Sequence, residues 1–290
     1  MPSQGRCPHR RCAGGRGSRQ RTGLRPVNGG VKRAFASFTL LALAACSIRT
    51  EGSEEQPRAS ICEPLVFEDS PFTHCTAEPA RHAIALDLSP EDSDQPYRSF
   101  EKLADELGGE TSQIAMVMNG GMFDAEGRPI GYYVEDGLRL TVLNQNEGPG
   151  NFHLLPNGVF FGEAAEGPWR VWDTDRFARE IEGRPHFATQ SGPMLVINGE
   201  LHPAFDPDGT SHKTRNAVGV DAAGRAHFII SEAPVSFGKL ARLYRDVLRV
   251  NNALFLDGSV SQMWDPAKGR MDGGPSIGPM IIVRERNTEQ

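Results

Sequence analysis

Three short segments of this 290-residue chain pair a strand-like apolar run with a side chain able to do chemistry. In Ala253-Leu254-Phe255-Leu256-Asp257-Gly258-Ser259 the run stops at a carboxylate, and the chain then turns at a glycine. A rigid strand ending in a loop is where binding and catalytic groups concentrate, although a carboxylate there also commonly bonds its own turn. In Ile114-Ala115-Met116-Val117-Met118-Asn119-Gly120-Gly121 the run ends in an amide that both donates and accepts. Gly120 and Gly121 permit a positive φ or a close approach of backbone to a ligand. The third segment, Arg215-Asn216-Ala217-Val218-Gly219, sets a guanidinium directly before a strand. Its planar fork suits phosphate or carboxylate. His212, three residues earlier, is a candidate phosphate contact, although a surface loop histidine is the better reading of its polar surroundings.

These segments, in this order, resemble the phosphodiester glycosidase family. The resemblance rests on Asn119 to Phe123, Ser191-Gly192-Pro193-Met194-Leu195-Val196-Ile197-Asn198-Gly199, Arg215 to Gly219, and Leu256 to Ser261. It covers roughly residues 80 to 284 and favours a bacterial branch. Met122 and Ser259-Val260 stand where the animal pattern has phenylalanine and glycines. The resemblance implies a hydrolase acting on a sugar joined through its anomeric oxygen to a phosphodiester. Asp257, Asn119 and Arg215 would be its catalytic residues, with Gly120, Gly121, Gly192, Gly258, Ser259 and His212 lining the substrate. The partner implied is a phosphorylated carbohydrate, with no cofactor and no bound metal. Glu232 is a possible second carboxylate. Two rival readings share the same residues, a non-catalytic glycan-binding surface lipoprotein and a metal-dependent phosphodiesterase.

The elements that must position these residues are read from periodicity. Apolar runs predict strands at 65–67, 81–88, 114–118, 139–143, 158–161, 169–172, 194–197, 217–220, 227–230, 253–256 and 278–283. Helical spacing predicts a helix over 99–107. A second starts at an N-cap Ser236 and buries Phe237, Leu240, Ala241, Tyr244, Val247 and Leu248. With 32 glycines and 21 prolines the chain is loop-rich. The expected fold is a single α+β domain with a large mixed β-sheet and few helices.

Net charge is −6, yet the first 33 residues hold nine Lys and Arg and no Asp or Glu, so the remainder carries −15. That acidity opposes nucleic acid, whose binding rests on clustered Lys and Arg. Residues 1–30 read as a non-native extension or disordered arm. Residues 31–46 read as a secretory signal, with Lys32-Arg33, a short apolar run and Leu43-Ala44-Ala45-Cys46. The last four resemble a lipobox, which predicts cleavage before Cys46 and its lipidation. The predicted location is the cell envelope, lipid-anchored at the outer membrane and facing the periplasm. Residues 47–60 suit a flexible tether, and the domain spans 61–290. After processing, Cys62 and Cys75 remain as an even pair in an oxidising compartment, which predicts a disulfide. Asp206-Pro207-Asp208-Gly209 superficially suggests a calcium loop, but lacks the spacing and closing glutamate of an EF-hand. Trp169 and Trp172 suit either sugar stacking or core packing.

Overall fold

The computed structural model describes residues 58–257 and 260–286. The expected extension, signal and lipidated Cys46 lie outside the described residues, as does all of the tether before residue 58. The described residues form one compact unit.

In chain order the strands begin with β1 (Cys62–Phe67), β2 (Ser70–Ala77), β3 (His82–Asp87), β4 (Ile114–Asn119), β5 (Tyr133–Glu135) and β6 (Leu138–Thr141). Next come β7 (Gly158–Gly162), β8 (Trp169–Asp173), β9 (Phe187–Ser191), β10 (Met194–Ile197), β11 (Glu200–Leu201) and β12 (Asn216–Val220). The series ends with β13 (Ala226–Ser231), β14 (Asn252–Asp257), β15 (Met263–Asp265), β16 (Arg270–Met271) and β17 (Met280–Glu285). The α-helices are α1 (Phe100–Leu107), α2 (Thr174–Glu180) and α3 (Phe237–Arg242).

Among the described residues the strands form three sheets, ordered β1-β2-β13-β12-β14-β10-β11, β16-β15-β4-β17-β3 and β6-β5-β9-β7-β8. The fold is α+β in a single domain. Its strands divide among three antiparallel sheets where a large mixed one is expected from the sequence. Antiparallel pairing follows from connections too short for parallel crossovers, such as the two residues between β1 and β2. Glu68 and Asp69 there take φ 44° and 57°, the left-handed geometry of a two-residue hairpin turn.

Each sheet presents one face to a shared core. Ile84, Met116 and Ile281 from the second sheet meet Tyr133, Phe160 and Phe187 from the third and Val218, Phe228 and Leu254 from the first. Each outer face is closed by a helix. Helix α3 brings Leu240 and Ala241 onto Ala217, Ile229 and Phe255. Helix α1 brings Phe100 and Leu103 onto Val117 and Ile282, and α2 brings Phe177 onto Val159 and Phe161. Strands covered on both faces read as continuous apolar runs, and β4 and β13 are buried at every position.

Both predicted helices form and are capped as expected. The hydroxyl of Ser99 accepts from Lys102 N, and that of Ser236 from Lys239 N. The α3 stripe holds through Tyr244. The helix then widens into a π-turn over Leu243–Val247, which rotates the following residues and leaves Val247 exposed. The Asp206 segment is a plain turn in which Asp206 Oδ1 accepts from Asp208 N. Trp169 is buried, whereas Trp172 packs edge-on to Phe161 beneath the Arg176 guanidinium.

Cys62 and Cys75 face each other across β1 and β2 and form a disulfide. Closing so short a loop stabilises by about 3 kcal/mol in the chain-entropy model. On the same hairpin, His74 Nε2 lies 2.9 Å from His227 Nδ1, and His227 Nε2 lies 3.1 Å from Asp221 Oδ2. Burial, then the neighbouring His227 and Arg225, push His74 down to about 4. A base held below its unfolded value of about 6.5 stabilises the fold above that pH, and the contribution is lost as pH falls toward the folded value. Between pH ~7 and ~4, wild type should therefore lose up to about 3 kcal/mol more unfolding free energy than His74→Asn. Urea unfolding at the two pH values measures this, and equal losses would refute it.

Candidate functional site

Strands β12 and β14 are antiparallel neighbours, and their register places Asn216 opposite Asp257. The second sheet delivers Asn119 from the end of β4 to the same point. All three residues are buried. Asn119 Nδ2 donates to Asp257 Oδ2 at 3.1 Å and to the Val260 carbonyl at 2.6 Å. Asn119 Oδ1 accepts from Asn216 Nδ2 at 2.9 Å and from Gln262 N at 2.8 Å. Asn216 Nδ2 also donates to the Asn119 carbonyl at 2.8 Å, and Asn216 Oδ1 accepts from Asp257 N at 3.2 Å. Asp257 Oδ1 in turn accepts from Val260 N at 3.3 Å. The result is a closed network of two amides and a carboxylate joining two sheets. Its orientation is fixed because each amide group finds complementary partners.

The third sheet meets the same corner. Thr189 Oγ1 donates to the Gly120 carbonyl at 2.7 Å, and Ser191 Oγ donates to the Leu256 carbonyl at 2.7 Å. This packing explains the glycines. A Cβ on Gly120 would run into the Ile281 side chain. Gly121 takes φ +140°, and a Cβ there would strike Thr189 Oγ1. Gly192 is pressed against Asn157 and the Phe152 carbonyl. Their smallness is a requirement of the three-sheet junction itself.

Arg215 is fully buried beside Asn216. Its guanidinium lies 3.6 Å from the Phe237 ring centroid and 5.3 Å from that of Phe255. Nε donates to the Val235 carbonyl at 2.8 Å, and Nη2 to the Ser211 carbonyl at 2.8 Å. Nη1 is buried with no partner among the described residues. Burial lowers Arg215 to about 10, which leaves it charged at neutral pH. Two of its three nitrogens therefore serve the fold. His212 lies on the exposed 211–214 segment above it. Gly258 and Ser259 lie outside the described residues. Glu232 accepts from Thr73 Oγ1 and from Arg270 Nη1, each at 2.6 Å, and so belongs to an ion-pair network with Asp272.

Sequence reasoning passed over Asn216, Ser261 and Gln262, although Asn216 is the hub of the network. Its one visible signal is an unbranched amide between a guanidinium and an apolar strand. Asn216→Asp keeps the shape but puts an acceptor against the Asn119 carbonyl and Oδ1. It should cost roughly 3 kcal/mol, since several buried groups lose their partners together. Chemical denaturation measures this, and a cost under about 1 kcal/mol would contradict the hub assignment.

A model of the phosphodiester glycosidase family matches residues 112–283, which contain Asn119, Arg215 and Asp257. The chain is 38% identical over 152 residues to "Uncharacterized protein YigE" of Escherichia coli K12, a match spanning 52% of this chain and 58% of that protein. The fold resembles the zebrafish N-acetylglucosamine-1-phosphodiester alpha-N-acetylglucosaminidase catalytic domain, solved auto-inhibited by its pro-peptide. That likeness has a TM-score of 0.53 at 14% identity, covering 78% of this chain and 82% of that one. The family match takes in more than half of the sequence, and the chain belongs to the phosphodiester glycosidase family.

Proposed function

We propose that this protein hydrolyses a sugar-1-phosphodiester on an envelope or extracellular glycan, cleaving the bond between the anomeric carbon and the phosphate oxygen. The observation that carries the reading is the meeting of Asp257 and Asn119 at one sheet junction with Asn216, whose chain neighbour Arg215 has a buried Nη1 with no partner among the described residues. Family membership supports the reaction class.

Water supplies the oxygen that bonds to the anomeric carbon, and the carbon–oxygen electron pair leaves on the phosphate. A phosphomonoester is a stable anion and needs little protonation to depart. One carboxylate then suffices where ordinary glycosidases use two. Asp257 acts at the anomeric carbon, as base toward water or as nucleophile. The contacts from Asn119 and Val260 orient the Asp257 carboxylate. The spare corner of Arg215 stabilises charge gathering on the phosphate as the bond breaks. Because burial leaves the guanidinium weakly solvated, that contact is stronger than it would be in water.

Asp257→Asn should lower kcat on a chromogenic sugar-1-phosphodiester by about 10³-fold or more, and Arg215→Lys by about 10²-fold, with folding checked by thermal unfolding. The phosphate-free glycoside should be a poor substrate for all three proteins. Full activity in Asp257→Asn would remove the catalytic assignment, and equal rates on the two substrates would remove the phosphate contact. Binding without turnover would favour a glycan-binding protein, and loss of turnover with chelator a metal-dependent phosphodiesterase.

A further inference from the structure

Strand β6 stands at the end of the third sheet and, among the described residues, pairs only with β5. A free edge of this kind is a ready template for another strand, and proteins usually blunt it with charge. Here Leu138 and Leu140 on β6, and Val142 just beyond it, stay 61%, 45% and 64% exposed. The β5–β6 register skips Leu140, where the strand bulges. Leu138 and Leu140 form one lip of a groove of about 680 Å³. The rest of the groove is acidic. Asp87 and Glu135 lie in it, with Glu91 and Asp94 from the loop after β3 and Glu106 and Glu110 from the end of α1 and the turn beyond. Its one basic lining residue, Arg284, is already paired with Glu110 at 2.9 Å.

We propose that this groove and the β6 edge dock an extended, basic segment of a partner protein, added as a strand whose apolar side chains lie on Leu138, Leu140 and Val142 and whose Lys or Arg side chains reach the carboxylates. Backbone pairing at a sheet edge gives such docking its affinity, and alternate side chains give it specificity. Charge decides among occupants. An anionic membrane surface is repelled by the groove. A second copy of this chain, which carries −15 outside its first 33 residues, meets the same repulsion. A cationic strand is attracted. Burial of the carboxylates gives the same sign, since it pushes Asp87 up to about 6 and Glu135 up to about 7. Both shifts show negative charge held at a cost that an incoming cation relieves.

The test is fluorescence anisotropy of the full chain with a labelled peptide alternating Lys and Val. A Glu/Val peptide and a Lys/Val peptide N-methylated at alternate residues are the comparisons. Saturable binding is expected for the Lys/Val peptide alone, because N-methylation removes the donors that pair with the edge. Leu140→Glu and Glu106→Lys, both at exposed positions, should each weaken binding by about tenfold or more. Equal binding of the methylated peptide, or indifference to Leu140→Glu, would overturn strand docking in favour of charge adsorption. Absence of binding, or self-association of the chain abolished by Leu140→Glu, would overturn the basic partner.

Discussion

The hydrogen bonds that lock Asn119, Asn216 and Asp257 together hold this structure at its most demanding point. Three sheets must converge there, and converging strand ends leave polar backbone groups in a place water does not reach. Asn216 Nδ2 takes the Asn119 carbonyl, Asn216 Oδ1 takes the Asp257 amide, and Asn119 Oδ1 takes the Gln262 amide. Each side chain thus satisfies backbone that would otherwise be stranded at a cost of about 1–3 kcal/mol per group. Thr189 and Ser191 do the same from the third sheet. In the proposed reaction the same network serves both the fold and the chemistry. The groups that close the junction also aim a carboxylate, and removing one partner disturbs the rest.

Arg215 obeys the same logic. Aromatic rings on one side and the Val235 and Ser211 carbonyls on the other hold a buried cation with two of its three nitrogens satisfied. The third has no partner among the described residues. Buried polar groups are normally paired, so a donor unpaired among the described residues is the feature that the proposed phosphate contact would explain.

Much of this organisation is legible in the sequence because burial writes itself as pattern. Strands covered on both faces appear as unbroken apolar runs, which is why β4 and β14 and their terminal Asn119 and Asp257 stand out. The serine caps of α1 and α3 and the Cys62–Cys75 pair are equally plain. Other elements leave weaker traces. Strand β2 carries Pro71 and alternates with polar residues, and its turn uses Glu68 and Asp69 without a glycine. Strand β9 reads Phe-Ala-Thr-Gln-Ser, because its side chains bond loops and neighbouring sheets. The partition into three sheets, and the contact between Asn119 and Asp257 across 138 positions, depend on tertiary pairing that no local window contains. The same holds for Asn216, whose importance lies wholly in what surrounds it.

The account turns on where the bond breaks. In the proposed reaction a carboxylate fixed by amides and one cationic corner at the phosphate assist departure of phosphate from an anomeric carbon. It supplies little to an attack at phosphorus, where cationic or metal clamps on the transferring group are the usual requirement. Hydrolysis of a sugar-1-phosphodiester in ¹⁸O-labelled water, followed by mass spectrometry of both products, reads this directly. Cleavage at the anomeric carbon puts the label on the released sugar and leaves the phosphomonoester unlabelled, with the reaction about 10³-fold or more slower in Asp257→Asn. Label in the phosphomonoester would contradict it.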